Sequence, residues 1–482
     1  MAHWLKDRGF DAVAVQGGVV ALSRNEAAEG GLSRDREGRR QAPGHPSGAA
    51  ENALTALRWP RFRRFSVGVL LSLIGNWVEA AAFGYVVLLL GGSAATLGLI
   101  GFLNTIPNLV LGLPAGALAD RYDRRKLLFL LQGLNMCVAA LLAVLWATDQ
   151  LTVGIIGAIA VVGGSLGTLS FPAFQGMLAS TVPKRDLESA VAINSLSLHL
   201  ARFAGPAIAG VLLAQAGPTG GVGFNAASFV CVLGALALLP GSRAAAAATG
   251  QAAAGLGASM KEGLRYVFGQ RSIASLMLLL LLAGLFATPP VAFMIPGIVE
   301  ERLGGGAGTL GAILAAMGLG SLLGSIALLR LARRANKGEP ALAGFLLAGA
   351  AMAGVGVSTS TPLSFVLGVL GGLGGVLFVG LSTVVVQASS SDEMRARAMA
   401  IWAAFFVGVL PIGALVTAGL AAVLGAGGAV LVDGLAVVVG GIAVLVLRPD
   451  VTWLGCAALP EACLAATTPD ALAEAEHAGF AR

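Results

Sequence analysis

Three ionisable side chains interrupt long apolar runs in this 482-residue chain: Glu79, Arg202 and Asp433. A charge inside a bilayer is costly and marks a functional hypothesis by default. Glu79 is preceded by Ser72, Gly75 and Asn76 at helical spacings of 7, 4 and 3. These residues form one polar stripe, so Asn76 and Glu79 are expected to face an internal cavity and not lipid. A carboxyl placed there can carry a proton, neutralise a cationic substrate, or pair with a fixed cation. Arg202 is the candidate for that cation. Glu79 lies 15 residues past Arg64 and Arg202 lies 15 past Leu187, which puts both roughly 22 Å along their helices at 1.5 Å per residue. A static Glu79–Arg202 pair therefore competes with proton or substrate handling by Glu79. Arg202 also adjoins Gly205-Pro206, where helix packing explains it as well as substrate contact does. His199, in the same apolar run, is read as a packing residue.

Other chemistries find no support. Of four cysteines, Cys137 and Cys231 sit in apolar runs, while Cys456 and Cys463 lie in the tail, where a bridge is less expected than two solvated thiols. This is neither a disulfide framework nor a zinc site, and no metal or cofactor is expected. None of the five lysines follows a glycine, so there is no G-x-x-x-x-G-K-[ST] phosphate loop. One histidine and two acids scattered over separate apolar runs make no enzyme constellation, and the charged ring or filter of a channel is missing. The chain is not expected to be an enzyme.

The elements that must position these residues follow from composition. Apolar residues make up 56% and charged residues 12%, against about 25% charged in soluble domains. Such a chain is a polytopic membrane protein. A bilayer core of about 30 Å needs roughly 20 apolar residues per helix. Twelve spans satisfy this, near 65–91, 96–118, 126–147, 151–181, 187–216, 222–240, 272–298, 307–330, 341–358, 361–388, 396–424 and 426–447.

Basic residues orient them. Eleven of 31 precede the first span, and the loops after spans 2, 4, 6, 8 and 10 carry 4, 2, 4, 4 and 2. Arg302 alone lies in a loop on the other side. Both termini are thus expected in the cytoplasm. The basic residues form no face for nucleic acid; the bilayer is the expected partner, with a monomer as the working unit. The opening MAHWLKDRGFDAV lacks a signal-peptide pattern.

The expected organisation is a disordered cytoplasmic arm over 1–57, a six-helix half over 58–240, a cytoplasmic linker over 241–271, a second six-helix half over 272–448 and a tail over 449–482. Within the linker, Met260 to Phe268 reads as a short interfacial amphipathic helix. In the tail, Thr468-Pro469-Asp470 has the form of a helix start. Spans 4, 7 and 10 hold the Gly and Pro clusters (Gly163, Gly164, Gly167 and Pro172; Pro289, Pro290 and Pro296; Gly371, Gly372, Gly374 and Gly375). These read equally as bends lining a cavity or as close helix packing. The halves are related internally. Ala190-Val-Ala-Ile193 meets Ala398-Met-Ala-Ile401 at a shift of 208, Asn225 meets Asp433 at 208, and Arg121, Arg124 and Arg125 meet Arg330, Arg333 and Arg334 at 209. Parallel six-helix repeats with a substrate site at their interface are one known transporter arrangement.

The loop between spans 2 and 3, Gly112-Leu-Pro-Ala-Gly116-Ala-Leu-Ala-Asp120-Arg121-Tyr-Asp-Arg124-Arg125-Lys126, resembles the G-x-x-x-D-R-x-x-R-R/K signature of the major facilitator superfamily. Pro172 and the stretch Val182-Pro183-Lys-Arg185-Asp-Leu187-Glu-Ser-Ala190-Val-Ala-Ile-Asn194 are similar to its transmembrane-secretion-effector branch. So is Phe224-Asn225-Ala-Ala-Ser228-Phe229, while Arg202-Phe-Ala-Gly205-Pro206-Ala-Ile-Ala-Gly210 resembles the exporters' Gly-Pro signature in span 5. The branch includes macrolide efflux pumps and siderophore exporters. In the second half Leu329 stands where Asp120 would fall, so no gating role is carried over there.

The resemblance, covering 58–448, implies an all-α fold of twelve transmembrane helices in two six-helix repeats. It implies a gating set of Gly116, Asp120, Arg121, Arg124, Arg125, Gly205, Pro206 and Gly210, with Asp120 and Arg121 latching the halves together. It places span 12 outside the cavity, so Asp433 is read as structural. The candidate proton- or substrate-binding residues are Glu79, Asn76, Arg202, Asn104, Asn108, Phe286 and Phe293. The expected activity is export of a small amphipathic, drug-like molecule from the cytoplasm, with the proton as coupling ion and no cofactor. A siderophore or metabolite exporter is the alternative. The expected location is a bacterial inner membrane.

Overall fold

The fold is seen in a computed structural model that describes residues 10–15, 19–24, 55–239, 256–332, 334 and 336–453. The side chain of His199, the Cys456 and Cys463 pair, the Thr468 helix start, residues 241–255, Arg333 and most of the 1–57 arm lie outside the described residues.

Helices α1 (Pro60–Leu89), α2 (Ala94–Arg121), α3 (Arg124–Ala147) and α4 (Val153–Ser180) are followed by a continuous run, Leu187–Ala237, broken at Gly217 into α5 (187–216) and α6 (218–237). A linker helix, Leu256–Gly269, precedes the second half. There α7 comprises Arg271–Leu282, a π-turn at Ala283–Ala287, Thr288–Phe293 and Ile295–Glu301. Next come α8 (Ala307–Leu331), α9 (Gly338–Val357) and α10 (Thr361–Ser389). Helix α11 consists of Asp392–Phe406 and 410–424, and α12 spans 426–447 after a break at Gly425. Among the described residues eleven helical stretches are long and apolar enough to cross a membrane, and the last, Arg397–Leu447, holds both α11 and α12. The chain therefore crosses twelve times.

Local chemistry sets the ends. Gly217 and Gly425 have φ of 61° and 71°, a region open to glycine at no Cβ cost, and Pro218 then opens α6 where its missing N–H is not needed. Ser93 and Thr96 form a reciprocal capping box on α2, and Thr152 caps α4 through the Ile155 N–H at 3.3 Å. Pro289 and Pro290 follow the π-turn of α7, where the Thr288 hydroxyl donates to the Ala283 carbonyl at 3.2 Å. A proline removes a helix hydrogen bond, and a π-turn is one way the chain absorbs the gap.

The two ends of the bundle differ. One, the basic end, carries the Asp120 loop; the other, the turn end, carries Gly91, Asp149, Gly217, Gly304 and Gly425, all with positive φ. A single apolar core runs through the second half and joins the first half only near the turn end, through residues such as Val87, Leu97, Leu142 and Leu213. Toward the basic end the first half has a separate core of its own, with Phe62, Leu128, Met177 and Leu236. Glycines make the joint. A Cβ on Gly98 would lie 2.7 Å from Ala418 Cα, one on Gly84 2.6 Å from Pro296 Cγ, and one on Gly311 2.5 Å from Gly210 Cα. The halves are thus sealed at one end, where small residues let helix backbones meet.

At the basic end each half is tied internally. The Trp59 indole N–H donates to Asp186 at 2.9 Å, and the Ala56 N–H donates to the Ser189 hydroxyl at 3.1 Å. The Trp59 donor holds the Asp186 carboxyl below the usual carboxylate range. The linker helix binds the start of α11, with Arg397 and Glu262 paired at 2.7 Å and Phe268 against Phe405. Its amphipathic character is as expected from Met260 to Phe268.

The described residues of the N-terminal segment belong to a unit of their own. Within a stretch expected to lack order, β1 (Phe10–Val15) and β2 (Val19–Arg24) pair antiparallel, with Phe10 opposite Arg24 and Val15 opposite Val19. The β-branched valines of FDAVAV and VVALSR suit a strand, a local signal that composition over the whole arm obscured.

Candidate functional site

A cavity of about 760 Å³ lies within the first half, walled by α1 to α6 and closed by Ala292, Phe293 and Pro296 of α7. Among the described residues Glu79 is the one ionisable side chain that lines it. Around it stand the carboxamides Asn76, Asn104, Gln132, Asn135, Gln175 and Asn194 and the rings Phe83, Phe171, Phe174, Phe229 and Phe293. Its exposed lining residues are Asn76 and Ala80 of α1, Gly167, Phe171 and Gln175 of α4, Val191, Ser195 and Leu198 of α5, and Ala292 of α7. The cavity is therefore open to solvent.

The polar stripe on α1 faces this space: Ser72, Asn76 and Glu79 all line it. Glu79 accepts a hydrogen bond from the Asn225 amide of α6, and the Ser228 hydroxyl donates to the Asn225 backbone carbonyl at 2.8 Å. Gly75 makes this approach possible, since a Cβ there would overlap Ser228 and Asn225.

The expected partner, Arg202, is elsewhere. Its guanidinium lies 5.2 Å from the Trp77 ring centroid, and no ion pair joins it to Glu79 among the described residues. Trp77 and Glu79 are two residues apart and project from nearly opposite sides of α1. The Glu79–Arg202 pairing is thus corrected: depth along the helices matched, direction around α1 did not. Gly205 packs on Trp77, and Gly318 of α8 closes on the Arg202 carbonyl, its Cβ position 2.6 Å away. The Arg202–Gly210 stretch is a packing seam between α1, α5 and α8.

Asn104 lines the cavity and donates to the Ala160 carbonyl at 3.3 Å, where Gly164 lets α4 close on α2. Asn108 accepts from the Thr168 hydroxyl at 2.7 Å and is not among the cavity residues. Phe293 closes the cavity and rests on Gly101; Phe286, within the π-turn, packs against the second-half core instead.

The loop after α2 stays within its own half. Asp120, whose side chain is 79% exposed, approaches Arg124 at 3.6 Å. Asp123 caps α3 through the Lys126 N–H at 3.0 Å. Arg125 donates to the Leu236 and Ala237 carbonyls, each at 2.7 Å, and so closes the C-terminus of α6. Arg124 lies over Gly176 of α4, while Arg121 is exposed near the Tyr122 ring. Gly116 has open space around it. Among the described residues no hydrogen bond or ion pair links this loop to the second half.

Comparison with known proteins follows the same line. Residues 51–454 match the family described as transmembrane secretion effector. The chain belongs to that family. The multidrug efflux pump Tap of Mycolicibacterium fortuitum is 25% identical over 73% of this chain and 87% of its own. The enterobactin exporter EntS of Escherichia coli O1:K1 / APEC is 26% identical over 64% of this chain and 73% of its own. A D-xylose-proton symporter structure, 14% identical, superposes with a TM-score of 0.63 over 81% of this chain and 99% of that one, which shows a shared fold. This secretion effector is a multi-pass transporter of the major facilitator fold.

Several cavity residues of this secretion effector escaped the sequence reading: Gln132 and Asn135 of α3 and Gln175 of α4. Gln132 and Asn135 are three residues apart on one helix face within an apolar run. That spacing is the signal that finds them.

Proposed function

We propose that this secretion effector exports a small amphipathic, drug-like molecule from the cytoplasm by alternating access, exchanging it for protons. The observation that carries the reading is the first-half cavity, rich in rings and carboxamides, with Glu79 as its single ionisable group among the described residues. Such a lining favours a neutral or cationic amphipath, because rings and carboxamides accommodate varied shapes and a lone carboxyl can take a proton or a cation. A core continuous only near the turn end supports an inward-facing state. Both termini then lie in the cytoplasm of a bacterial inner membrane, and the monomer is the working unit. In this reading Asn76, Asn104 and Phe293 contact substrate, and Asp120 with Arg121 meets the second half when the basic end closes. Arg202, Gly205, Pro206 and Gly210 serve the α5–α8 seam.

The second reading, a siderophore or metabolite exporter, is favoured by the similarity to an enterobactin exporter. Among the described residues no cationic side chain lines the cavity, which argues against a polyanionic cargo.

Efflux of ethidium from cells overproducing the protein, with and without a protonophore, tests both. Protonophore-sensitive efflux that falls at least about tenfold (about 1.4 kcal/mol) in Glu79→Gln is expected. Gradient-driven efflux that survives in that variant retires Glu79 as the coupling carboxyl. Failure to move any dye, together with export of a siderophore, moves the assignment to the second reading.

A further inference from the structure

The cavity accounts for Glu79 but not for the other intramembrane acid. Asp433 of α12 is 0% exposed, and so is nearly all of Thr417 on α11, whose hydroxyl donates to Asp433 Oδ2 at 2.8 Å. Asp433 Oδ1 is buried with no hydrogen-bond partner. Among the described residues no ion pair reaches Asp433, and the charges packed on α12, Arg302 against Gly427 and Glu301 on the Ala426 N–H, sit six and seven residues before it. The elements packed around this contact hold no Asp, Glu, His, Lys or Arg over residues 94–119 of α2, 272–299 of α7, 340–357 of α9, 398–424 of α11 or the rest of α12 from 426 to 447. An ionised carboxylate here would have one hydroxyl donor and nothing else, in a medium where isolated charge is costly. A carboxylic acid needs no counter-ion.

The surroundings also carry breaks in helix geometry. Helix α11 is interrupted between Phe406 and Leu410. Gly413, one turn before Thr417, lies against the π-turn of α7, its Cβ position 2.5 Å from the Leu285 carbonyl. The internal repeat strengthens the case. Asp433 sits 208 residues after Asn225, the residue that holds Glu79. The first half thus places its carboxyl on α1 opposite an amide, and the second half places its carboxyl at the amide's own position.

We propose that Asp433, with Thr417, is a second proton-binding site, which holds a proton in the state seen here and releases it when α11 and α12 shift against the π-turn of α7. Release breaks the carboxyl O–H bond heterolytically; the proton passes to water, the electron pair stays on the carboxylate, and nothing is oxidised. The purpose of the site rests on the proton-coupled reading above, but its first test does not.

That test is infrared spectroscopy of the purified full-length protein in lipid nanodiscs, titrated over the pH range in which it stays folded. A protonated carboxyl C=O band that is lost in Asp433→Asn, shifted in Thr417→Val, kept in Glu79→Gln and bleached on alkalinisation is the expected result. A missing band at every pH overturns the proposal, and so does a band that never bleaches, which would make Asp433 a permanent neutral packing group. Should Asp433→Asn fail to fold, the Thr417→Val shift assigns the band in a protein that retains the carboxyl. In proteoliposomes exporting ethidium, Asp433→Asn is expected to lose about one proton per dye molecule relative to wild type. An unchanged ratio overturns the coupling role. Dye export that is absent in wild type while the band titrates counts against the exporter reading and leaves the proton site standing.

Discussion

Asn225 and Asp433 stand at the same place in two related halves, 208 residues apart, and serve different ends. Asn225 reaches Glu79 at the wall of an open cavity, whereas Asp433 meets Thr417 in full burial. The first half supplies nearly all the cavity lining; the second contributes only Ala292, Phe293 and Pro296, and otherwise packs as one apolar mass. Both halves have a six-helix frame, and the frame tolerates a polar contact at this point in either. What separates them is access to solvent. One half has its polar contact at the wall of a cavity, and the other has it sealed among packed helices.

The largest expected effect comes from breaking the joint between the halves. Gly311→Leu puts a side chain into the Gly210 backbone, and overpacking of this kind costs about 1–3 kcal/mol. The state sealed at the turn end should lose population by about tenfold or more, read as increased thiol labelling of single cysteines placed in the turn-end part of the seam. Unchanged labelling would mean that the seam is looser than it looks. The two polar contacts can then be set against each other. Asn225→Ala strips Glu79 of its partner, at a cost of about 1–3 kcal/mol, and should weaken dye binding several-fold in equilibrium dialysis. Thr417→Ala should leave dye affinity where it was. Equal losses in the two variants would erase the functional distinction between the halves.

A smaller effect is expected from Arg125→Ala, which frees the Leu236 and Ala237 carbonyls and should lower the thermal midpoint by a few degrees, about 1 kcal/mol, without altering which dyes are exported. Smallest is the acid response of Asp186. Its carboxyl is depressed by the Trp59 N–H, so the contact contributes above the ordinary carboxylate range and is lost only as pH falls through the depressed folded value. The fluorescence of Trp59, in a variant retaining it as the sole tryptophan, should hold in mild acid and change only below that range. In Asp186→Asn it should not follow this acid transition.

The frame was legible because the bilayer imposes it: apolar length counts the helices and the alternation of basic loops orders them. The site was only half legible. Helical spacing put Asn76 and Glu79 on one cavity-facing stripe, but arithmetic along an axis gives height and not direction, so Arg202 looked like a partner while it faced Trp77 across the helix. Asn225 is 146 residues from Glu79, and no local pattern announces such a contact. Phe286 and Phe293, seven residues apart, share a face on a regular helix. Phe286 lies inside the π-turn, whose wider winding breaks that register, and of the two only Phe293 lines the cavity. Gln132 and Asn135 are neutral and carried no alarm in an apolar run.

The turn end has a consequence of another kind. Every connection there is short: no more than five residues separate α1 from α2, α3 from α4, α5 from α6, α7 from α8, α9 from α10 or α11 from α12. Backbone reversals at Gly91, Asp149, Gly217, Gly304 and Gly425 make this compactness possible. To an antibody or a protease arriving from that side, the molecule offers six blunt corners and scarcely an epitope or a scissile loop. What that end presents is mostly the rim of its own helices.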